Sequence, residues 1–307
     1  MRKTALDMVY EMAKTDKRIF FIGSDLGIGT LDKFKKEMPD RFFMEGVSEA
    51  NLIGMAAGLA MNGKIPYVNT IATFLTRRCF DQIVVDLCLH NVNVRLIASG
   101  GGMVYAPLGP THEAIEDMAI LRAVPNMTIV APADATEMRR FMRETPDYPG
   151  PIYIRLAKGG DPVVTPDVPF KIGKAYPLRE GKDALIVATG VTLKAALDAS
   201  AELAKSGIDA AVLHMPTLKP FDAETLLDLA NPVRAIVTIE EHTILGGRGS
   251  AVAEKIAEAN FNPGKKFKRI GIPDVFPDQY GSQASLMERY SITTQNLVAS
   301  VSMLAGK

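Results

Sequence analysis

Three stretches of this sequence carry residue types able to do chemistry together. The first, Glu45 to Ala60 (EGVSEANLIGMAAGLA), reads as a turn feeding a tightly packed helix. Gly46 permits the bend, Ser48 stands as the N-cap, and Gly54, Ala57 and Gly58 form a small-residue face that another backbone can approach. Glu49 occupies the helix entrance, where it is either an ordinary first-turn acid favoured by the helix dipole or a working carboxylate. The second stretch, Thr73 to Ile83 (TFLTRRCFDQI), sets Phe74 and Phe80 beside Arg77 and Arg78 near a helix start. Aromatics at such a junction also serve as core. The third is the loop Gly100 to His112 (GGGMVYAPLGPTH), too rich in glycine and proline to be core. Its terminal His112 is either a packed or solvated side chain or an acid-base group.

The elements that position these stretches follow from apolar periodicity. Leu6, Val9, Tyr10 and Ala13 mark an N-terminal helix, and residues 18–23 a buried strand. A helix over 31–38, a strand over 41–44, the Glu49 helix, a strand over 65–70, one long helix over 72–89 and a strand over 92–98 follow. Then come a helix over 112–121, a strand over 127–130, a helix over 135–145 and a strand over 152–156. Residues 159–169 hold three prolines and two glycines and read as a linker. Beyond it the alternation restarts: strands at 184–188, 210–214, 235–239 and 267–272, and helices at 192–206, 223–229, 249–259 and 293–304. Strands alternating with helices specify mostly parallel sheets covered on both faces, so the fold class is α/β in two domains, residues 1–165 and 166–307. The Gly100 loop then lies at the C-terminal edge of a parallel sheet, where such folds bind ligands.

Composition narrows the function. With 307 residues, 47% of them hydrophobic, the chain can bury a large core. Lys plus Arg and Asp plus Glu number 35 each, so there is no excess positive charge to recruit nucleic acid or an anionic membrane. Apolar runs are too short to span a bilayer and the N-terminus lacks a signal-like apolar core, which predicts a cytoplasmic protein. Cys79 and Cys88, the only cysteines, have neither metal nor disulfide spacing and are expected as buried thiols.

Taken together, the stretches resemble the C-terminal half of transketolase: the pyrimidine-binding domain of a thiamine diphosphate enzyme followed by the transketolase C-terminal domain. The resemblance spans essentially the whole chain. It rests on Gly46-Val47-Ser48-Glu49-Ala50, Gly109-Pro110-Thr111-His112, Pro125-Asn126-Met127 with Ala131-Pro132-Ala133-Asp134, and Glu240-Glu241-His242 ahead of Gly246-Gly247-Arg248-Gly249. It implies that Glu49 is the catalytic carboxylate that hydrogen-bonds the cofactor aminopyrimidine. For that role desolvation by a partner must outweigh the helix dipole, which favours the charged form. It further implies that Phe74 and Phe80 sandwich the pyrimidine, that Arg78 joins them, and that Asp25 and Leu26 line the cofactor pocket. His112 would contact the sugar's carbonyl or hydroxyl end, and Arg2, Arg155 and Lys158 its phosphate, although lysine lacks the bidentate fork the family more often has there.

The family holds the diphosphate through a divalent metal, Mg2+ or another, on a Gly-Asp-Gly motif followed by asparagine, and neither occurs here; Gly160-Asp161-Pro162 lacks the second glycine. No metal ligand is therefore assigned in this chain. The resemblance implies one subunit of a split transketolase, active only with a diphosphate-binding partner subunit in an α2β2 heterotetramer. Its reaction is two-carbon ketol transfer from a ketose, or ketose phosphate, to an aldose. Two hydroxyl-reading positions of the family are replaced by Gly100 and Leu108, which favours an altered sugar. Other readings are a transketolase-like ligase on a modified sugar, the β subunit of a 2-oxoacid dehydrogenase E1, and a catalytically silent scaffold; the last would be expected to lose Glu49 or both aromatics, and all three are present.

Overall fold

In the computed structural model, which describes residues 1–24, 29, 31–157 and 159–306, the chain forms two mostly parallel sheets flanked by helices. The first contains β1 (Ile19–Gly23), β2 (Phe42–Met44), β3 (Ile65–Ile71), β4 (Arg95–Ser99), β5 (Thr128–Val130) and β6 (Ile152–Leu156), all parallel, in the spatial order β5-β6-β4-β3-β1-β2. Every residue of β4, β5 and β6 is buried, as expected of strands covered on both faces. The covering helices are α1 (Arg2–Thr15), α2 (Asp32–Glu37), α3 (Glu49–Met61), α4 (Ala72–Thr76), α5 (Phe80–Gln82), α6 (Asp117–Arg122) and α7 (Ala135–Glu144).

The second half contributes β7 (Tyr176–Arg179), β8 (Ala184–Ala188), β9 (Ala210–His214), β10 (Thr217–Lys219), β11 (Ala235–Thr243) and β12 (Lys266–Ile272). Its helices are α8 (Leu193–Lys205), α9 (Ala223–Ala230), α10 (Arg248–Glu258), α11 (Gln283–Arg289) and α12 (Thr294–Ala305). Its sheet runs β12-β11-β8-β9-β7, with only β7 antiparallel. β10 leaves that sheet and pairs antiparallel with β5, so the two halves share a seven-stranded sheet. One apolar cluster joins Met103, Ala106 and Ile115 of the first half to Ile186, Ile239 and Ile272 of the second. Among the described residues no helix is long and apolar enough to cross a membrane.

Three local expectations need correction. The long helix over 72–89 is broken: α4 ends at Thr76, the chain turns through 77–79, and after α5 the segment Ile83–Leu89 is a π-helix. The turn frees two arginines from the helix surface, and the Cys79 thiol donates back to the Phe74 carbonyl at 3.3 Å. The helix over 112–121 starts only at Asp117, because residues 114 and 115 are held extended. Ala114 and Gly102 exchange two backbone hydrogen bonds of 2.9 and 3.0 Å, and Ile115 O accepts from Thr243 N at 2.8 Å. Ser48 is the residue before α3 but does not cap it; its hydroxyl donates to the Glu45 carbonyl at 3.0 Å and tightens the preceding turn.

Candidate active site

The parallel strands set the site. The C-terminal ends of β3, β4 and β6 lead directly into residues 72–78, the Gly100 loop and residue 157, side by side on one edge of the sheet. After β2 the chain bends at Gly46, whose φ of +70° lies in the left-handed region that favours glycine, and enters α3 at its first residue, Glu49. The Glu49 side chain is 4% exposed. A carboxylate so buried needs a partner. Arg78, released by the 77–79 turn, supplies it, its Nη1 donating to Oε2 at 3.1 Å. The Arg78 guanidinium carbon also lies 4.0 Å from the centre of the Phe74 ring, a cation–π contact. The Phe74 ring in turn meets the His112 ring at 5.1 Å and 68°, edge to face. Glu49, Arg78, Phe74 and His112, drawn from three separate segments, are thus joined by consecutive contacts. Among the described residues Glu49 Oε1 accepts no hydrogen bond, so one oxygen is left for a ligand.

Phe80, Arg2 and Arg155 stand outside this row of contacts. Phe80 is 37% exposed and makes no ring contact among the described residues. Asp25, Leu26 and Lys158 lie outside the described residues. Arg2 opens α1, and its Nη1 reaches the Tyr105 hydroxyl at 3.4 Å. Arg155 is held within the protein: Nε donates to Asp117 Oδ2 at 2.8 Å, and Nη2 to the carbonyls of Ala114 at 3.2 Å and Glu241 at 2.8 Å. Its charge is matched by Asp117, and Nη2 is taken up by two backbone carbonyls.

Four residues outside the expected site set shape the loop. Arg77 clamps its far end, donating to the carbonyls of Pro110 at 3.0 Å and Glu113 at 2.9 Å while paired with Glu116. Asp117 anchors Arg155 and accepts from the Tyr153 hydroxyl at 2.7 Å. Glu241, from β11, accepts from the Met103 backbone N–H at 2.6 Å. Tyr105 explains Gly100: φ there is +77°, and a Cβ would overlap the Tyr105 ring. The aromatic at 105 is the readable signal, since it fills the space that a side chain at 100 would need. Gly100→Ala is accordingly expected to displace Tyr105 and cost about 1–3 kcal/mol through strain and overpacking, read as a fall in Tm.

Residues 1–160 match the family model for the transketolase pyrimidine binding domain, and residues 173–297 that for the transketolase C-terminal domain. The chain is 38% identical over 302 residues to the 6-deoxy-6-sulfo-D-fructose transketolase subunit SqwH of Clostridium sp. (strain MSTE9), covering 97% of this chain and 92% of that subunit. It is 39% identical over 276 residues to a subunit of the apulose-4-phosphate transketolase of Phocaeicola vulgatus, covering 89% and 87% of the two. Among solved structures it is similar to a split gene transketolase described as an inactive β4 tetramer, with a TM-score of 0.89, 37% identity, and coverage of 99% of this chain and 97% of that one. Matched in both halves by the family's models and over most of its length by subunits of such enzymes, the chain belongs to the transketolase family.

Proposed function

We propose that this chain supplies the pyrimidine-binding half of a thiamine diphosphate-dependent site for two-carbon ketol transfer, completed by a separate subunit that holds the diphosphate and its divalent metal. One observation carries the reading: Glu49 is buried at the entrance of α3 with one oxygen bound to Arg78 and the other free among the described residues, in line with Phe74 and His112. These residues fit an aminopyrimidine. The free carboxyl oxygen matches a ring nitrogen that can share a proton, and Phe74 gives an apolar plate. Where β3 passes into α4, Asn69 Oδ1 and Thr73 Oγ1 are buried without partners among the described residues, which suits a polar ligand edge. Bound there, thiamine diphosphate would supply a nucleophilic ring carbon able to add to a ketose carbonyl. Glu49 Oε1 holds the proton exchanged with the ring, Arg78 keeps the carboxylate in place, and His112 faces the reacting sugar. Asp25, Leu26 and Phe80 belong to the same pocket in this reading. Arg2 with Tyr105, together with Lys158, meets an anionic end of the sugar; the named substrates of the two relatives carry a sulfonate and a phosphate.

The sequence contains no Gly-Asp-Gly, which supports a second polypeptide as the diphosphate holder. Helix α3 offers it a landing face. Gly54 and Gly58 are exposed, with nothing within 4 Å of an added Cβ, and α3 packs beside the π-helix that exposes Val85 and Leu89. Two such chains with two partners make the proposed α2β2 assembly. The chain mixed with a subunit carrying Gly-Asp-Gly and asparagine at the family spacing is expected to transfer ketol units only when thiamine diphosphate and Mg2+ are present, and each subunit alone to be inactive. Full activity from this chain alone would overturn the reading. Gly54→Leu with Gly58→Leu is expected to weaken assembly by at least about tenfold in sedimentation or calorimetry while leaving Tm equal or higher, because leucine is the better helix former.

A further inference from the structure

A second group of buried ionisable side chains lies where the two halves meet, behind the His112 loop. The segment after His112 is stitched to the loop root through Gly102 and Ala114 and to β11 through Ile115 and Thr243. Within it Glu113 is fully buried, and neither of its carboxyl oxygens has a hydrogen-bond partner among the described residues. Glu241 enters from the second half and is also buried. Its Oε1 accepts from Met103 N at 2.6 Å and its Oε2 from Gln283 Nε2 at 2.8 Å. It presses so closely on the loop that a Cβ on Gly102, φ +71°, would lie 2.5 Å from the Glu241 carboxyl carbon.

The charges facing this pair do not neutralise it. Arg77 faces Glu113, but its donors go to Glu116 and to the carbonyls of Pro110 and Glu113. Arg155 faces Glu241 but is paired with Asp117, which itself adds negative charge nearby and has His242 Nε2 at 3.7 Å. Burial pushes both carboxyls up from 4.5, each to about 7, and the charge of Glu241 adds to the rise at Glu113. A carboxylate without a partner is costly out of water, whereas the neutral acid is far less so.

We propose that Glu113 and Glu241 are each held protonated where the two halves of the chain meet, and that this protonation is a latch keeping the Gly100–His112 loop, and with it His112, seated against β11. Glu113 is a positioning residue here, acting on the loop and not on substrate. The role of His112 rests on the transketolase reading; the latch itself does not. Its sign is fixed by linkage. The folded chain retains protons that the unfolded chain releases between about pH 4.5 and about pH 7, so the latch's contribution is full below that window, falls through it and is gone above it.

Glu113→Gln removes the ionisation while keeping the shape. Its Tm relative to wild type is expected to rise by about 4–8 °C between pH 5 and pH 8.5, measured on the purified chain. Amide hydrogen exchange at residues 100–112 should quicken from pH 6 to pH 8, beyond the intrinsic pH dependence of exchange, in wild type and not in Glu113→Gln. Glu241→Gln keeps an acceptor for Met103 N and should flatten the same pH dependence. In the assembled enzyme, kcat/KM of wild type should decline through pH 7 more steeply than that of Glu113→Gln. A Tm difference for Glu113→Gln that does not change with pH, or exchange profiles that coincide, would overturn the latch even in an active enzyme. If the assembled enzyme lacks ketol transfer, the Tm and exchange results still decide the latch.

Discussion

Replacing Glu49 by Gln, in the chain assembled with its diphosphate-holding subunit, is expected to lower ketol-transfer turnover by about 10²–10⁴-fold, the range a positioned proton-transfer group contributes. The substitution tests protonation and little else. Glutamine has the same shape, still fits at the entrance of α3, and can still accept from Arg78 through its amide oxygen. Arg78 is itself about half exposed, its side chain 49% accessible, so losing its counter-charge does not strand a buried cation. Tm should therefore stay within about 2 °C of wild type, because the side-chain shape and the contact with Arg78 are kept. Binding of thiamine diphosphate to the assembled enzyme should weaken far less than turnover falls, because Phe74 and the partner's diphosphate contacts remain. Turnover within tenfold of wild type would remove Glu49 from its proposed role.

Most of the sheet was legible because a strand covered on both faces has to be an unbroken apolar run. The runs 19–23, 152–156, 184–188 and 210–214 stand as strands within a residue of their expected ends. What escaped was set by tertiary pairing. β10, Thr217–Lys219, is too short to show a period, and it exists because β5 offers an open edge. β7 carries a proline and is half exposed, which is tolerable only at a sheet margin. The residues expected as one helix over 72–89 do keep a helical apolar spacing. Sequence periodicity does not report that Arg77 and Arg78 have competing partners across the fold, Glu116 and Glu49, and those partners favour the break.

The candidate site divides in the same way. Glu49, Phe74, Arg78 and His112 could be named from short motifs, because each sits at a fixed place on a turn or a helix start. Their mutual contacts put these four side chains, from three segments, in one row. The resemblance alone implies a phosphate contact for Arg155, and it carries no sign that Asp117 and two carbonyls are its partners in the fold. Asp117 has no local signal of its role, since an acid in the first turn of a helix is ordinary. Only the fold brings it 2.8 Å from Arg155.

That pair carries the largest expected effect on stability. Asp117 is fully buried and the Arg155 side chain is 8% exposed, so Asp117→Ala leaves a guanidinium charge inside the protein with only carbonyl acceptors, and leaves the buried Tyr153 hydroxyl without its acceptor. Breaking a buried pair from one side costs about 3–5 kcal/mol, which predicts a fall in Tm of roughly 6–15 °C by calorimetry. Asp117→Asn should lose less, since its carbonyl can still accept from Tyr153. The double substitution Asp117→Leu with Arg155→Met removes both charges and refills the space, and is expected to recover a large share of the loss, as replacement of buried ion pairs by apolar groups often does. Recovery should be incomplete, because Arg155 also holds the carbonyls of Ala114 and Glu241, one on the segment after His112 and one on β11. If instead the double variant is no more stable than the sum of its single substitutions, the cost lies in those backbone contacts and not in the stranded charge, and Arg155 acts mainly as the tie between the two halves of the chain.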